Sequence, residues 1–214
     1  MPSTDVDPPQ DARVVAQQYL RYERPLTGLV VVVLTLAFLG AYLATSLVPA
    51  VAVGAGLLVV VRAPLLSPSG TVRLETDDDP GAVVDAFTGP TPPVLAFQWG
   101  IADDISVGEE GVTYRISYLF GLRSVEMTVQ ARTGAADDGR TVELEVAANG
   151  QPWSTYTVDV FPRDGGTAVE YEYTADRRFG LRRLPQRFVV RRYRDEALAA
   201  QGYTVVSRDG NLGM

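Results

Sequence analysis

Residues 112–131 read VTYRISYLFGLRSVEMTVQA, two alternating runs joined across a glycine. In the first, Val112, Tyr114, Ile116, Tyr118 and Phe120 stand opposite Thr113, Arg115 and Ser117. In the second, Val125, Met127, Val129 and Ala131 stand opposite Glu126, Thr128, Gln130 and Arg132. Alternation sustained over this length marks strands with one covered face and one wet face, and Gly121 marks the turn between them. The pattern recurs in both directions along the chain. It appears in TVRLET at 71–76, at the odd positions from Leu95 to Val107, in VELEV at 142–146, from Tyr156 to Val160, and from Val169 to Tyr173. Seven strands are thereby predicted. The turn segments GAADDG, ANGQPW and RDGG keep the connections short, which favours an antiparallel meander with one covered face.

Two helices interrupt the strands. Asp79 is placed to cap a short helix, Pro80 suits its first position, and Gly89 ends it. A longer helix is predicted from Pro185 to a Gly202 cap, with Leu184, Phe188, Val190, Tyr193, Ala197 and Leu198 on its apolar side. That helix is the element expected to cover the open sheet face. The order strand, short helix, six strands, long helix resembles the helix-grip fold of the START/Bet v 1-like (SRPBCC, polyketide cyclase-like) superfamily, over about residues 71–202. The resemblance rests on element order and turn placement, with PTPPV at 90–94 standing where the family has a second small helix. It implies a curved sheet wrapped around a long helix, often enclosing a cavity for apolar ligands.

Ahead of this region, from Leu26 to Val61, 36 residues carry no charge. One helix of that length would be about 54 Å long against roughly 30 Å of hydrocarbon. TSLVP at 45–49 is a natural break, so two membrane spans are predicted at about 26–45 and 48–66. Arg13, Arg21, Arg24, Arg62 and Arg73 flank the pair, and the loop between carries none, which puts both termini in the cytoplasm at the cell membrane. The expected organisation is a cytoplasmic segment at 1–25, a transmembrane helical hairpin at 26–66, a linker at 67–70 and an α+β helix-grip domain at 71–214. Small residues Gly28, Gly40, Ala44, Gly54 and Gly56 would let the hairpin form a homo-oligomer.

Composition narrows the chemistry. The chain has no cysteine, histidine or lysine, so all nineteen basic residues are arginine, and sixteen of the 26 acids are aspartate. Thiolate catalysis, disulfides and cysteine metal sites are excluded, along with the commonest general base. The Asp-rich, Lys-free composition resembles that of haloarchaeal proteins, whose short carboxylates stay hydrated in salt; a GC-rich genome produces a similar bias. Asp103 alone among strand carboxylates falls in phase with the interior. Asp103-Asp104 and Asp137-Asp138 read as solvated loop charges. No catalytic residue, metal site or cofactor is assigned.

The candidate ligand-binding residues are the inward Trp99, Tyr114, Tyr118, Met127, Tyr156, Tyr171 and Tyr173. Two arrangements fit them: a close-packed core whose hydroxyls reach backbone, or a cavity in which tyrosines hold the polar end of a lipid-like small molecule. The first would leave a membrane-tethered scaffold or regulatory module, the second a ligand binder at the inner membrane face. Charge is polarised. Residues 71–176 carry −13 and residues 177–194, RRFGLRRLPQRFVVRRYR, carry +8. Arg182, Arg183, Arg187 and Arg191 are the expected contacts to the lipid bilayer, with pairing to the acidic sheet exterior the alternative. The acidic remainder argues against nucleic acid as a partner.

Overall fold

The meander forms because each alternating run exchanges its backbone hydrogen bonds with the next while its apolar side chains collect on one face. In a computed structural model that describes residues 6, 8–109, 111–118, 122–136, 139–177, 179–180 and 184–213, this gives β3 (Gly111–Tyr118), β4 (Arg123–Ala136), β5 (Gly139–Ala148), β6 (Gln151–Arg163) and β7 (Gly166–Ala175). β2 (Asp104–Gly108) flanks β3 at one end. β1 (Pro64–Thr76) pairs with β7 at the other. A two-residue β8 (Phe179–Gly180) joins the start of β1, and β9 (Thr204–Gly213) runs along the free edge of β1. Among the described residues the sheet therefore has nine antiparallel strands, not the seven expected. Residues 67–70, read as a linker, lie inside β1 and pair with β9 from Gly213 to Gly210.

The inner face is mostly apolar and buried. Leu74, Tyr114, Val142, Leu144, Val158 and Tyr171 are almost wholly buried. The outer face carries cross-strand ion pairs, including Arg73–Glu170 at 2.8 Å and Arg132–Glu145 at 3.0 Å. Exposed pairs of this kind contribute about 0–1 kcal/mol each, so burial on the inner face, at roughly 25 cal/mol per Å², decides the fold.

Two helices cover that face, a short one and the expected long C-terminal one. α3 (Pro80–Thr88) lies across β4, β5, β6 and β7 with Val83, Val84 and Phe87 buried, and Asp79 Oδ1 caps it by accepting from the Gly81 and Ala82 amides. α5 (Leu184–Ala199) packs against α1 (Gln10–Ala44), α4 (Ala96–Gly100) and β9, with Ala197 and Leu198 in the core and Arg194 over Tyr173 of β7. Gly202, at φ 85°, ends it in a Schellman arrangement: the Tyr203 amide donates to Leu198 O and the Gly202 amide to Ala199 O, both at 3.0 Å. Tyr203 then packs edge-on against Phe87 of α3, with ring centroids 6.0 Å apart.

The N-terminal region overturns the two-span reading. α1 is one helix, Gln10–Ala44, and α2 runs only from Leu47 to Arg62. Among the described residues no helix is long and apolar enough to cross a membrane. At 16 residues α2 is about 24 Å long, short of the roughly 30 Å of hydrocarbon. α1 spends its first turns on the domain: Ala12 and Ala16 are fully buried, and a Cβ added to Gly100 would come within 2.7 Å of Ala16 Cβ. The transmembrane hairpin, the two-pass cell-membrane location and the cytoplasmic placement of the termini fall together. The second half of α1 packs against α2 through Phe38 over Gly54. Both helices turn Val33, Leu36, Leu43, Val48 and Val59 outward, each more than half exposed.

Candidate functional site

The seven aromatic and sulfur-bearing residues picked from the sequence divide into three groups. Trp99 and Tyr114 belong to a filled core. Trp99 lies on α4 (Ala96–Gly100), which follows a short 3-10 turn at Pro93–Leu95, and its Nε1 donates to Pro92 O at 2.9 Å. The Tyr114 hydroxyl donates to Pro90 O, also at 2.9 Å, and burial pushes its pKa upward. Met127 is buried beside them in the same cluster. Tyr118 is 42% exposed at the end of β3 and faces none of the others. Residues 95–101, predicted as strand, are turn and helix here.

Tyr156, Tyr171 and Tyr173 form the third group, on facing strands. Tyr156 is paired in register with Tyr173, and Val158 with Tyr171. The Tyr156 and Tyr173 ring centroids are 6.3 Å apart, those of Tyr171 and Tyr173 6.5 Å. Arg194 of α5 completes the group, its Cζ 5.8 Å from the Tyr173 centroid. Tyr173 and Arg194 are half-buried, so the cluster is reached from one side, while Tyr171 is 1% exposed. Burial pushes the Tyr171 pKa up, with Arg194 and Arg208 opposing, so its hydroxyl remains a neutral donor.

Hydrogen bonding sets this end of the inner face apart. The Tyr171 hydroxyl, Arg194 Nε and Ser154 Oγ are all buried without a partner. Ser154 precedes Tyr156 by two residues on β6 and so shares its face. Sealing a polar group away from any partner costs about 1–3 kcal/mol, and more for a charge. A second unpaired set, Arg13 Nε on α1 and Gln98 Oε1 on α4, joins one donor to one acceptor on helices in contact, which can satisfy each other. In the Arg194 set a hydroxyl can accept from the guanidinium, but neither hydroxyl offsets its charge.

Sequence reading missed Arg194 and Ser154. Arg194 lies four residues from both Val190 and Leu198, on the apolar stripe of α5, and an arginine on such a stripe is the signal that would have found it. Arg182 and Arg183 lie outside the described residues, as do the side chains of Arg187 and Arg191. Their expected bilayer contact therefore lies outside the described residues. Phe120, Asp137 and Asp138 also lie outside the described residues.

The carboxylates singled out in the sequence lie apart from one another. Asp103 is exposed, and its Oδ2 accepts from the Ser117 amide at 2.6 Å, tying β3 to the residue before β2. Glu126 and Glu170 face outward in ion pairs with Arg115 and Arg73. Among the described residues no three metal-ligating side chains gather at one point.

No protein-family model and no curated protein matches the chain. Solved structures similar to it include the Mll3558 protein from Rhizobium loti, 24% identical, covering 63% of this chain and 96% of that one with a TM-score of 0.42. A conserved protein from Geobacillus kaustophilus is 13% identical, covers 66% of this chain and 100% of its own, and has a TM-score of 0.42. Protein Ms6760 from Mycobacterium smegmatis is 15% identical over 62% of this chain and 86% of its own, with a TM-score of 0.37.

Proposed function

We propose that this chain is a non-catalytic binding domain that takes a lipid-like small molecule by its polar end, at the cluster of Tyr156, Tyr171, Tyr173 and Arg194. One observation carries the reading: three buried polar groups without partners share one end of an otherwise satisfied inner face. Buried polar groups are nearly always hydrogen-bonded, so such a cluster is accounted for by a ligand that completes it. The tyrosine rings supply the apolar wall. The order β1, α3, the meander β2 to β7 and α5 is the feature shared with the START/Bet v 1-like superfamily, and that kinship is part of the proposal. β9 after α5 and α1 packed upon α5 are departures from it.

Native mass spectrometry of the full chain, purified without detergent, tests this. A reproducible amphiphile adduct is expected, and Tyr173→Ala should lose it. Absence of any adduct, together with no thermal shift from added amphiphiles, would reject the reading.

A second reading rests on the bare helix pair. Apolar patches larger than a few hundred Å² rarely stay open on monomers. Gly40 and Gly56 have open space where a Cβ would stand, so another helix can approach their backbones closely. A second copy of the chain carries the same surface and is self-complementary about a two-fold axis. Sedimentation velocity should find a dimer that the double change Leu36→Glu, Leu43→Glu dissociates. A monomer at all concentrations, or a dimer indifferent to the change, removes this reading.

A further inference from the structure

We infer that the site beneath α5 selects an anionic head group, a carboxylate or a phosphate monoester, and that Arg194 is the selecting residue. The inference rests on the binding reading above and concerns the charge of the ligand.

Among the described residues, the two carboxylates that follow Arg194 on α5 are already committed. Glu196 Oε1 accepts from Arg192 Nε at 3.0 Å, one helical turn along α5. Asp195 is paired with Arg208 of β9. The groups whose charge bears on Arg194 are Tyr171, Tyr156, Tyr173 and Asp195, and Arg208 faces Tyr171 from β9. With Asp195 and Arg208 paired, Arg194 is left as a cation beside three tyrosines. A guanidinium stays charged at every physiological pH, so it cannot shed that charge on burial.

Arg194 has donors only, while the Tyr171 and Ser154 hydroxyls can donate or accept. A hydroxyl can take a hydrogen bond from the guanidinium but cannot neutralise its charge, and that charge calls for an anionic guest. A neutral alcohol brings one oxygen, whereas a carboxylate or phosphate brings two or more and matches the flat guanidinium fork. The contact to Tyr173 does not compete, because a ring below the guanidinium engages its face and leaves its N–H edge free.

Calorimetric titration of the full chain with dodecanol, dodecanoate and dodecyl phosphate tests this. Both anions should bind about tenfold or more tightly than the alcohol, the range expected of a hydrogen bond to a charged group. Arg194→Gln should collapse that ratio and Arg194→Lys should keep part of it. Arg192→Gln, in an exposed ion pair outside the site, should leave the ratio as in the wild type. Tyr171→Phe gives an independent variant should Arg194→Gln fail to fold, and it should lower anion affinity severalfold. Equal affinity for all three probes overturns charge selection while the binding reading stands. No binding by any probe overturns both. Anion preference that survives both Arg194→Gln and Tyr171→Phe overturns the assignment to this cluster. A preference between carboxylate and phosphate separates a fatty-acid source from a phosphate-bearing one.

Discussion

Trp99→Ala should cost this protein about 3–5 kcal/mol, the range for emptying a fully buried large aromatic site. Trp99 is 0% exposed, on a helix that packs against α1, α5 and β3. Truncation also strands the Pro92 carbonyl, which now accepts from Nε1 at 2.9 Å. For a chain of this length the loss corresponds to a fall in Tm on the order of 10 °C. Trp99→Phe separates the two contributions. It keeps most of the apolar area but deletes the donor, so about 1–2 kcal/mol should go. Urea unfolding followed by circular dichroism measures both. A Trp99→Ala loss under about 1 kcal/mol would mean that the ring is dispensable, as it would be if it lined an open cavity.

The sequence leaves open whether the inward aromatics are core or cavity lining, and hydrogen bonding distinguishes the two ends of the sheet. Tyr114 and Trp99 turned out to be structural because Pro90 and Pro92 present carbonyls to them, and no hydropathy pattern registers a loop carbonyl. Tyr156, Tyr171 and Tyr173 are equally visible as alternating aromatics, but Arg194 comes from a helix whose arginines read as contacts to a bilayer or to the acidic sheet exterior.

Strands β3 to β7 were legible because each buries one face, which leaves period-two alternation in the sequence. β9 was not legible. Its segment TVVSRDGNLG has adjacent valines followed by polar residues, and its pairing to β1 is made by backbone. α4 was mistaken for strand because Leu95 and Trp99 fit both periods. The helical face is Leu95, Ala96, Trp99 and Gly100, and the two small residues that distinguish it carry little hydropathic weight. α1 was divided at residue 25 because the charges stop there and a proline stands there. The helix nevertheless continues through Pro25, and its polar first turns are the ones that dock on the domain.

Gly111→Ala should be nearly as damaging as the loss of Trp99, for a reason that owes nothing to burial of apolar area. Gly111 begins β3 at φ 121°, a conformation closed to L-residues with a side chain. A Cβ there would penetrate the Val129 carbonyl oxygen of β4, and that oxygen is fixed by the ladder pairing Val129 with Val112. The chain has two escapes. It can rotate Gly111 into the extended region, which breaks the turn into β3, or it can push β4 away, which opens the ladder above Tyr114 and Met127. Holding a non-glycine residue in such a conformation costs about 1–3 kcal/mol before any clash is counted, so a total loss of about 3 kcal/mol is expected. Gly111→Val should lose more, since its branched Cβ has fewer rotamers clear of the strand. The contrast is Gly134→Ala, on β4, where an added Cβ meets nothing within 4 Å and the change should be close to neutral. Hydrogen exchange should locate the damage, with faster exchange at the β3–β4 amides than at β6 and β7. Equal stability of Gly111→Ala and Gly134→Ala would show that the turn into β3 relaxes freely, and the register that aligns Tyr114 with Met127 would then need another cause.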